Sequence, residues 1–536
     1  MMQVQMKIQR NNASAERRPT MLTASKAAAA FAMTAALALS GHIFAPTAFA
    51  ATSSTVTDDD LVTTASPASA ESTWNALATS AHGDLQAMLD LVALAPAPPQ
   101  ARITRPAGEL WRVLRDAGRF DDLGLTADEG RVLVDAVYRR LGAPKTMMGD
   151  TWPVRHDTGI SSDVTEEIAD DDDAFGAFTG HVAHRVLQPA DERGTGDSGV
   201  GPANTPDFRG AQEFENLRAV LFRWPYDWSA LRNEYAQMVQ TVFDGGAQAV
   251  IWTNNASQQA DAESYLQSQN VPTSHIRWVV ESTNSVWIRD YGPNFLYEVG
   301  GNRYGVADFH YYNNRPADDD TPLVVASALN IPVMDRQTSN VVFTEGGNLM
   351  HDGVGVVTYS TRTYSQNNGV NRSTVDQRIL TAFDATKAII PQDPTLDGTG
   401  HVDMFLKIVS EDTVLIAEYA PNQRDYQILE NNAALFASET NGRGEPWNVI
   451  RIPQPDVYYI FFIFPVVRTY TNGLVVNDQV IVPTYGIASD AEALSTYQQV
   501  YPDKTIVPIN ANQIIESAGA WHCVTMEHPD PTNIDP

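Results

Sequence analysis

From about residue 207 onward, short apolar runs alternate with amphipathic stretches, and this alternation constrains the fold more than any other feature of the chain. Apolar runs bounded by turn residues read as strands, and apolar residues spaced three and four apart read as helix faces. Ala219–Trp224, Gln248–Trp252 and Ile276–Val280 read as buried strands, and Leu231, Tyr235, Met238 and Val242 form a helix face between the first two. Phe295–Val299 and Arg303–Phe309 flank Gly300-Gly301, a hairpin signal. Val354–Ser360 reads as a strand and 371–384 as a helix. Val402–Val409 and Val414–Glu418 flank a turn at 410–412, followed by a helix over 422–438 and an apolar strand region over 457–468. Leu474–Val476 and Val480–Val482 turn at Asn477-Asp478; a helix near 490–500 and a strand at Thr505–Ile509 follow. The spacing predicts repeated mixed α/β modules. Few of the connections have the form of a plain strand–helix–parallel strand crossover, which disfavours a doubly wound parallel sheet.

The upstream third differs in texture. Basic residues Arg10, Arg17, Arg18 and Lys26 precede an apolar run from Ala27 to Leu39, and Ala48-Phe49-Ala50 offers a small-residue cleavage site, so 1–50 reads as a signal peptide. A secreted or periplasmic location is the corresponding expectation. Residues 51–72 read as a disordered leader and 73–150 as a helical prodomain or accessory domain, with Leu110, Val113, Leu114 and Ala117 on one face and Thr126 with Glu129 forming a capping box. Residues 151–205 read as an acidic linker. Asp170–Asp173 lack the spacing of an EF-hand loop. No later stretch reads as membrane-spanning. The net charge of -29 argues against a nucleic-acid partner.

The chain has one cysteine, Cys523, so no intrachain disulfide can form and packing must hold the fold. A lone thiol is either a small buried hydrophobe or a nucleophile. Gly400-His401-Val402-Asp403 opens an expected strand, where residues two apart share a face, so His401 and Asp403 line one side of a candidate site. Asp290 lies between an expected strand and a Gly-Pro turn; Glu345-Gly-Gly-Asn348 reads as a tight backbone turn. His522 neighbours Cys523, but in an extended segment adjacent side chains point to opposite faces, which makes His401 the better partner for the thiol. A cysteine protease using Cys523 and His401, and a non-catalytic exported binding protein, are the readings from other classes.

In order, Trp287-Ile-Arg-Asp-Tyr-Gly-Pro293, Glu345-Gly-Gly-Asn348, Gly400-His-Val-Asp403, Thr471-Asn472 with its hairpin, and His522-Cys-Val-Thr525 resemble the motifs of the bacterial peptidylarginine deiminase/agmatine deiminase family of guanidine-modifying enzymes. Phe214–Pro225 resembles the family's opening strand, and the resemblance spans 206–530 as a deiminase catalytic domain. It implies a five-bladed, pseudo-symmetric α/β propeller of ββαβ-type modules, here preceded by a small helical segment. It implies Cys523 as nucleophile, His401 as general acid/base, Asp290 and Asp403 as guanidinium-binding carboxylates, and Asn472 as a substrate-positioning residue. Trp287 is placed to stack on the guanidinium or its alkyl chain. Arg315 lies where secreted members carry arginines for a peptide's C-terminal carboxylate, although Ala317-Asp-Asp-Asp320 follows it and no second Arg stands there.

The implied reaction converts peptidyl or free arginine to citrulline and ammonia through a Cys-linked thiouronium. Agmatine, giving N-carbamoylputrescine, is the alternative. No metal or organic cofactor is implied. The partners are arginine-containing peptides or small guanidino compounds. Agmatine deiminases resemble this chain less, because they are compact and cytoplasmic and carry a Gly-rich run where Ser517-Ala-Gly-Ala520 stands.

Overall fold

A computed structural model describes residues 76–95, 105–143, 208–299, 303–336 and 342–531, with 97, 103, 147 and 148. The expected signal peptide, the leader and the acidic linker lie outside the described residues, as does the Gly300-Gly301 turn.

Four times along the chain an antiparallel strand pair is followed by a helix and then by a strand parallel to the pair's second member. Asn294–Glu298 and Tyr304–Asp308 lead through helix Thr321–Leu329 to Val333–Arg336. Met350–His351 and Val356–Thr358 lead through Arg372–Ala382 to Lys387–Ile389. Leu406–Ile408 and Thr413–Glu418 lead through Tyr426–Ser438 to Asn448–Pro453. Leu474–Val476 and Gln479–Thr484 lead through Asp490–Val500 to Thr505–Asn510.

A fifth copy is assembled from both ends of this region. The last strand, Thr525–Pro529, pairs antiparallel with Leu217–Arg223, which leads through helix Arg232–Asp244 to the parallel strand Gln248–Thr253. Helix Ala256–Ser268 and strand Ile276–Val280 extend that sheet. A separate hairpin, Tyr458–Ile460 with Phe464–Val466, stands outside the pattern.

Local chemistry explains the turns. Asn477 has a left-handed φ of 54°, which Asn tolerates better than most residues. Its side chain accepts from Leu217 N at 2.7 Å and donates to Gly245 O at 2.7 Å, which stitches the 474–484 hairpin to the neighbouring sheet. Asp352 accepts from the backbone N–H groups of Val354, Gly355 and Val356 and so closes the turn before Val356.

Several expectations are corrected. Val402–Val409 is not one strand. Val402–Met404 is a 3-10 turn and only Leu406–Ile408 is extended, because Asn348 Oδ1 takes the Val402 N–H at 3.2 Å and diverts it from any ladder. The 457–468 region is a hairpin whose tip residues, Phe461 and Phe462, both adopt positive φ. The strand over 354–360 shortens to Val356–Thr358. Crossovers through a helix to a parallel neighbour join six strand pairs, more than the sequence spacing suggested, although the antiparallel pairs keep every larger sheet mixed or edged by a reversed strand.

Upstream, Leu85–Leu94, Ala107–Asp116, Arg119–Asp122 and Ala127–Arg140 are helical. The capping box forms as expected, with Thr126 Oγ1 accepting from Glu129 N and Glu129 Oε2 accepting from Thr126 N. Leu110, Leu114, Leu133, Ala136 and Val137 are buried, while Ala117 is exposed at the helix end. Among the described residues no helix is long and apolar enough to cross a membrane.

The Leu217–Arg223 strand is central in its sheet, and Leu221 within it is buried. Leu221→Ala is expected to lower stability by about 2–5 kcal/mol through lost burial and a residual cavity. Denaturant unfolding, read as a fall in midpoint at unchanged slope, checks this.

Candidate active site

Short irregular segments between the sheets bring the polar groups together. The turn Trp521–Val524 immediately precedes strand Thr525–Pro529 and carries Cys523. Its sulfur lies 3.2 Å from Asn472 Nδ2 and 3.6 Å from Asp403 Oδ2. Asn472 Oδ1 accepts from the Ala520 N–H at 3.1 Å and, at 3.4 Å, from that of Cys523, so one side chain fixes both the turn and the thiol. Thr471 donates to the Asp403 carbonyl at 2.9 Å and ties the two segments together.

His401 faces this group from the other side. Its Nε2 is 2.9 Å from Glu345 Oε2 and its Nδ1 is 3.6 Å from Asp290 Oδ1. Glu345 also accepts from Gln366 Nε2 at 2.7 Å, which fixes the carboxylate that orients the ring. Gly347 stands at the meeting point. A Cβ there would lie 2.7 Å from His401 Nδ1, 2.9 Å from Asp290 Oδ1 and 3.1 Å from Asp403 Oδ2. The missing side chain leaves room where an imidazole and two carboxylates converge. Asn348 holds the surrounding turn by accepting from Ser360 N and Val402 N and donating to Thr363 Oγ1.

The structure therefore gathers Cys523, His401, Asp403, Asp290 and Asn472, all nearly free of solvent contact. The same-face argument for His401 and Asp403 is corrected, because the turn at Val402–Met404 and not a strand brings them inward. Trp287 is buried against Trp228, and its ring edge lies beside Gly519, whose added Cβ would also meet the Cys523 sulfur at 3.1 Å. Arg315 stands one layer further out. It is half-buried, 3.4 Å from the Tyr311 hydroxyl and 5.7 Å from the Tyr312 ring centre. Burial, together with the charges of Asp290 and Glu345, pushes the Tyr311 phenol well above its ordinary value.

Sequence reasoning undervalued three residues. Glu345 was legible only as the first residue of a turn. Glu213 carried no signal. His522 was set aside because the segment was expected to be extended; it is a turn, so that geometric reason is corrected. Its ring nitrogens nonetheless both contact carboxylates, and Nδ1 shares Asp403 Oδ2 with the thiol. Nδ1 lies 2.8 Å from Asp403 Oδ2 and Nε2 lies 2.9 Å from Glu213 Oε1.

Burial and Arg289 oppose a charge on His522, yet Glu213 and Asp403 raise its pKa above the ordinary value. Burial likewise opposes ionisation of Glu213, yet His522, Lys407 and Arg289 hold its carboxyl well below the usual range. Arg289 pairs in turn with Glu527. Glu213, His522 and Glu527 have the composition of a metal site, but Arg289 and the Lys407 ammonium, 2.7 Å from Glu213, already supply positive charge there.

The arrangement suits a planar cation. Carboxylates accept the forked N–H donors of a guanidinium, a thiol stands within reach of its carbon, and a carboxylate-oriented imidazole is placed to move protons.

Comparisons with known proteins agree with that chemistry. A family model described as Porphyromonas-type peptidyl-arginine deiminase matches residues 209–529. Agmatine deiminase of Pseudomonas aeruginosa (strain UCBPP-PA14) is 27% identical over 367 residues, covering 62% of this chain and 98% of that protein. Among solved structures, agmatine deiminase of Enterococcus faecalis aligns at a TM-score of 0.54 and 20% identity, covering 60% of this chain and 96% of that one. Agmatine deiminase of C. jejuni aligns at 0.53 and 16% identity, covering 62% and 99%. At these identities the structural likeness carries the mixed α/β fold.

The raised pKa of His522 has a sign that can be tested. A group protonated more readily when folded stabilises fully below its unfolded value of about 6.5 and loses that contribution as pH rises through the higher folded value. The groups facing it are Asp403, Glu213, Arg289 and Glu527. Wild-type thermal stability is therefore expected to fall, relative to His522→Gln, as pH climbs above the ordinary histidine range. Parallel melting-temperature profiles across that range would contradict the assignment.

Proposed function

The chain belongs to the Porphyromonas-type peptidyl-arginine deiminase family, and on that premise we propose that it hydrolyses the guanidinium of peptidyl or free arginine to a ureido group with release of ammonia. It is thus a hydrolase acting on C–N bonds of linear amidines. The observation that carries the reading is the convergence on Gly347 of His401, Asp290 and Asp403, with the Cys523 sulfur beside Asp403.

In this reading Asp290 and Asp403 hold the guanidinium, the Cys523 thiol gives its proton to His401, and the thiolate attacks the central carbon, forming a C–S bond. His401 gives its proton to the departing nitrogen, the C–N bond breaks, and ammonia leaves a thiouronium on the sulfur. His401 then takes a proton from water. The resulting hydroxide attacks the same carbon, the C–S bond breaks to release the thiolate, and the hydroxyl proton passes to solvent, where the released ammonia takes it up, leaving the neutral ureido product. Glu345 orients the imidazole for both transfers, as carboxylates commonly do for catalytic histidines. Asn472 keeps the sulfur aimed, and Trp287 backs the turn that carries it.

The family's propeller architecture accounts for the repeated pattern. Each pair–helix–strand unit forms one of five blades, and the site lies where they meet. The agmatine deiminase relatives favour agmatine as the second substrate reading. Arg315, reached through Tyr311, favours a substrate with a carboxylate beyond the guanidinium. Export is proposed on the features of residues 1–50 alone, and appearance of the mature protein outside the cytoplasm tests it.

Wild-type protein is expected to form ammonia and a ureido product from an arginyl peptide, free arginine or agmatine. Cys523→Ala is expected to reduce turnover to background with unchanged folding by circular dichroism. His401→Gln is expected to slow turnover by about 10²–10⁴-fold. Peptide fragments without ammonia would instead indicate a protease, and full activity in Cys523→Ala would refute the nucleophile.

A further inference from the structure

We propose that Arg105, in the helical segment upstream of the family's matched region, is a positioning residue for His401, which makes that segment a working part of the enzyme. This rests on the deimination reading given above. Residues 390–401, which end at His401, contain no helix or strand, so hydrogen bonds from outside the loop must set its shape.

Arg105 supplies three of them, beside those that Asp425 makes to Thr395 and Leu396, Asn432 to Gln392 and Ser360 to Gly400. Its side chain is buried, and it reaches almost three hundred positions along the chain. Nε donates to the Asp397 carbonyl at 3.0 Å, and Nη2 donates to the Pro394 carbonyl at 3.3 Å and to Asp393 Oδ2 at 3.2 Å. The guanidinium is permanently charged and presents its donors in a rigid fork, so these bonds fix an angle as well as a distance.

From there the chain of contacts runs directly to the histidine. Asp397 is buried, and its carboxylate accepts from Thr399 N at 3.1 Å and Gly400 N at 2.9 Å. Thr399 Oγ1 donates to Asp397 Oδ2 at 3.0 Å and accepts from His401 N at 3.2 Å. Gly400 takes a φ of +66°, and a Cβ there would lie 3.0 Å from Asp393 Oδ2, the oxygen that Arg105 holds. Asp393 also accepts from Thr361 Oγ1 at 2.6 Å, which anchors it to the preceding module.

Arg105 is itself held. Its carbonyl accepts from the Tyr138 hydroxyl at 2.9 Å, and its Nη1 donates to Glu109 at 3.2 Å. A second contact keeps the helical segment seated. Arg119 Nη2 donates to Phe462 O at 2.9 Å, with the guanidinium 4.4 Å from the Tyr459 ring centre. The segment thus touches both the His401 loop and the 458–466 hairpin. Loss of Arg105 leaves the Asp397 and Pro394 carbonyls without this donor, and the loop relaxes. Small displacements of a catalytic group cost about 10²-fold in rate.

The test uses full-length variants assayed for ammonia release, with the His401 imidazole carbon followed by NMR in isotope-labelled protein. Arg105→Ala is expected to lower kcat by about 10–100-fold with little change in KM, and to shift the His401 resonance and the kcat–pH profile. Arg105→Lys, which keeps a charged donor, is expected to recover part of the loss. Arg115→Ala, which removes an exposed pair with Asp116 within the helix Ala107–Asp116, is expected to change neither. Unchanged kcat in Arg105→Ala overturns the proposal, as does a loss that follows unfolding while the His401 resonance stays fixed. If wild type turns over no guanidine but the resonance still moves, the deimination reading fails and the positioning role stands.

Discussion

The charge arrangement at the site depends on one buried contact, the His522 ring held between Asp403 and Glu213. Removing one partner of such a buried pair strands the other charge, at about 3–5 kcal/mol. The network extends through Lys407 to Glu213 and through Arg289 to Glu527. It joins residues from near the start, the middle and the end of the matched region. Its effect on the site is directional. With one Asp403 oxygen committed to His522, the carboxylate cannot rotate freely, and its position beside Cys523 is set.

Chain closure serves the same end. Thr525–Pro529 pairs with Leu217–Arg223, and Cys523 sits two residues before that seam. Arg289 N donates to the Cys523 carbonyl at 3.2 Å, and Arg289 Nε donates to that of His522 at 3.3 Å. The thiol is therefore placed by a sheet that forms only when the two ends of the region meet. Such long-range pairing carries a large loop-closure cost, and the buried apolar strand Leu217–Arg223 offsets it.

What the sequence disclosed follows from range. Elements with local periodicity, such as the Asp490–Val500 helix and the 474–484 hairpin, were legible because their signals lie within a few residues. The motif residues Cys523, His401, Asp403, Asp290 and Asn472 were legible through family order, and the structure brings them into one site. Val402–Val409 was misread because a side chain more than fifty residues away, Asn348, takes the backbone N–H that a strand would use. Glu213 and Arg105 were invisible because their meaning lies in partners hundreds of residues distant. The shape of the segment around His522-Cys523 was misjudged for a related reason. It was expected to be extended, whereas Asn472 folds it into a turn.

The electrostatics give the proposed cycle a direction. Three carboxylates, Asp290, Asp403 and Glu345, surround His401 and Cys523 in a site with almost no solvent contact. At low local dielectric such a group attracts a cation strongly. An ammonium meets the charge requirement but not the fork, whereas a guanidinium meets both. Deimination turns that cation into a neutral ureido group. The attraction that draws the substrate in is therefore absent for the product, and release follows from the chemistry without a separate ejecting device. The same neutrality exposes the carboxylates to one another again, so the emptied site is poised for the next guanidinium.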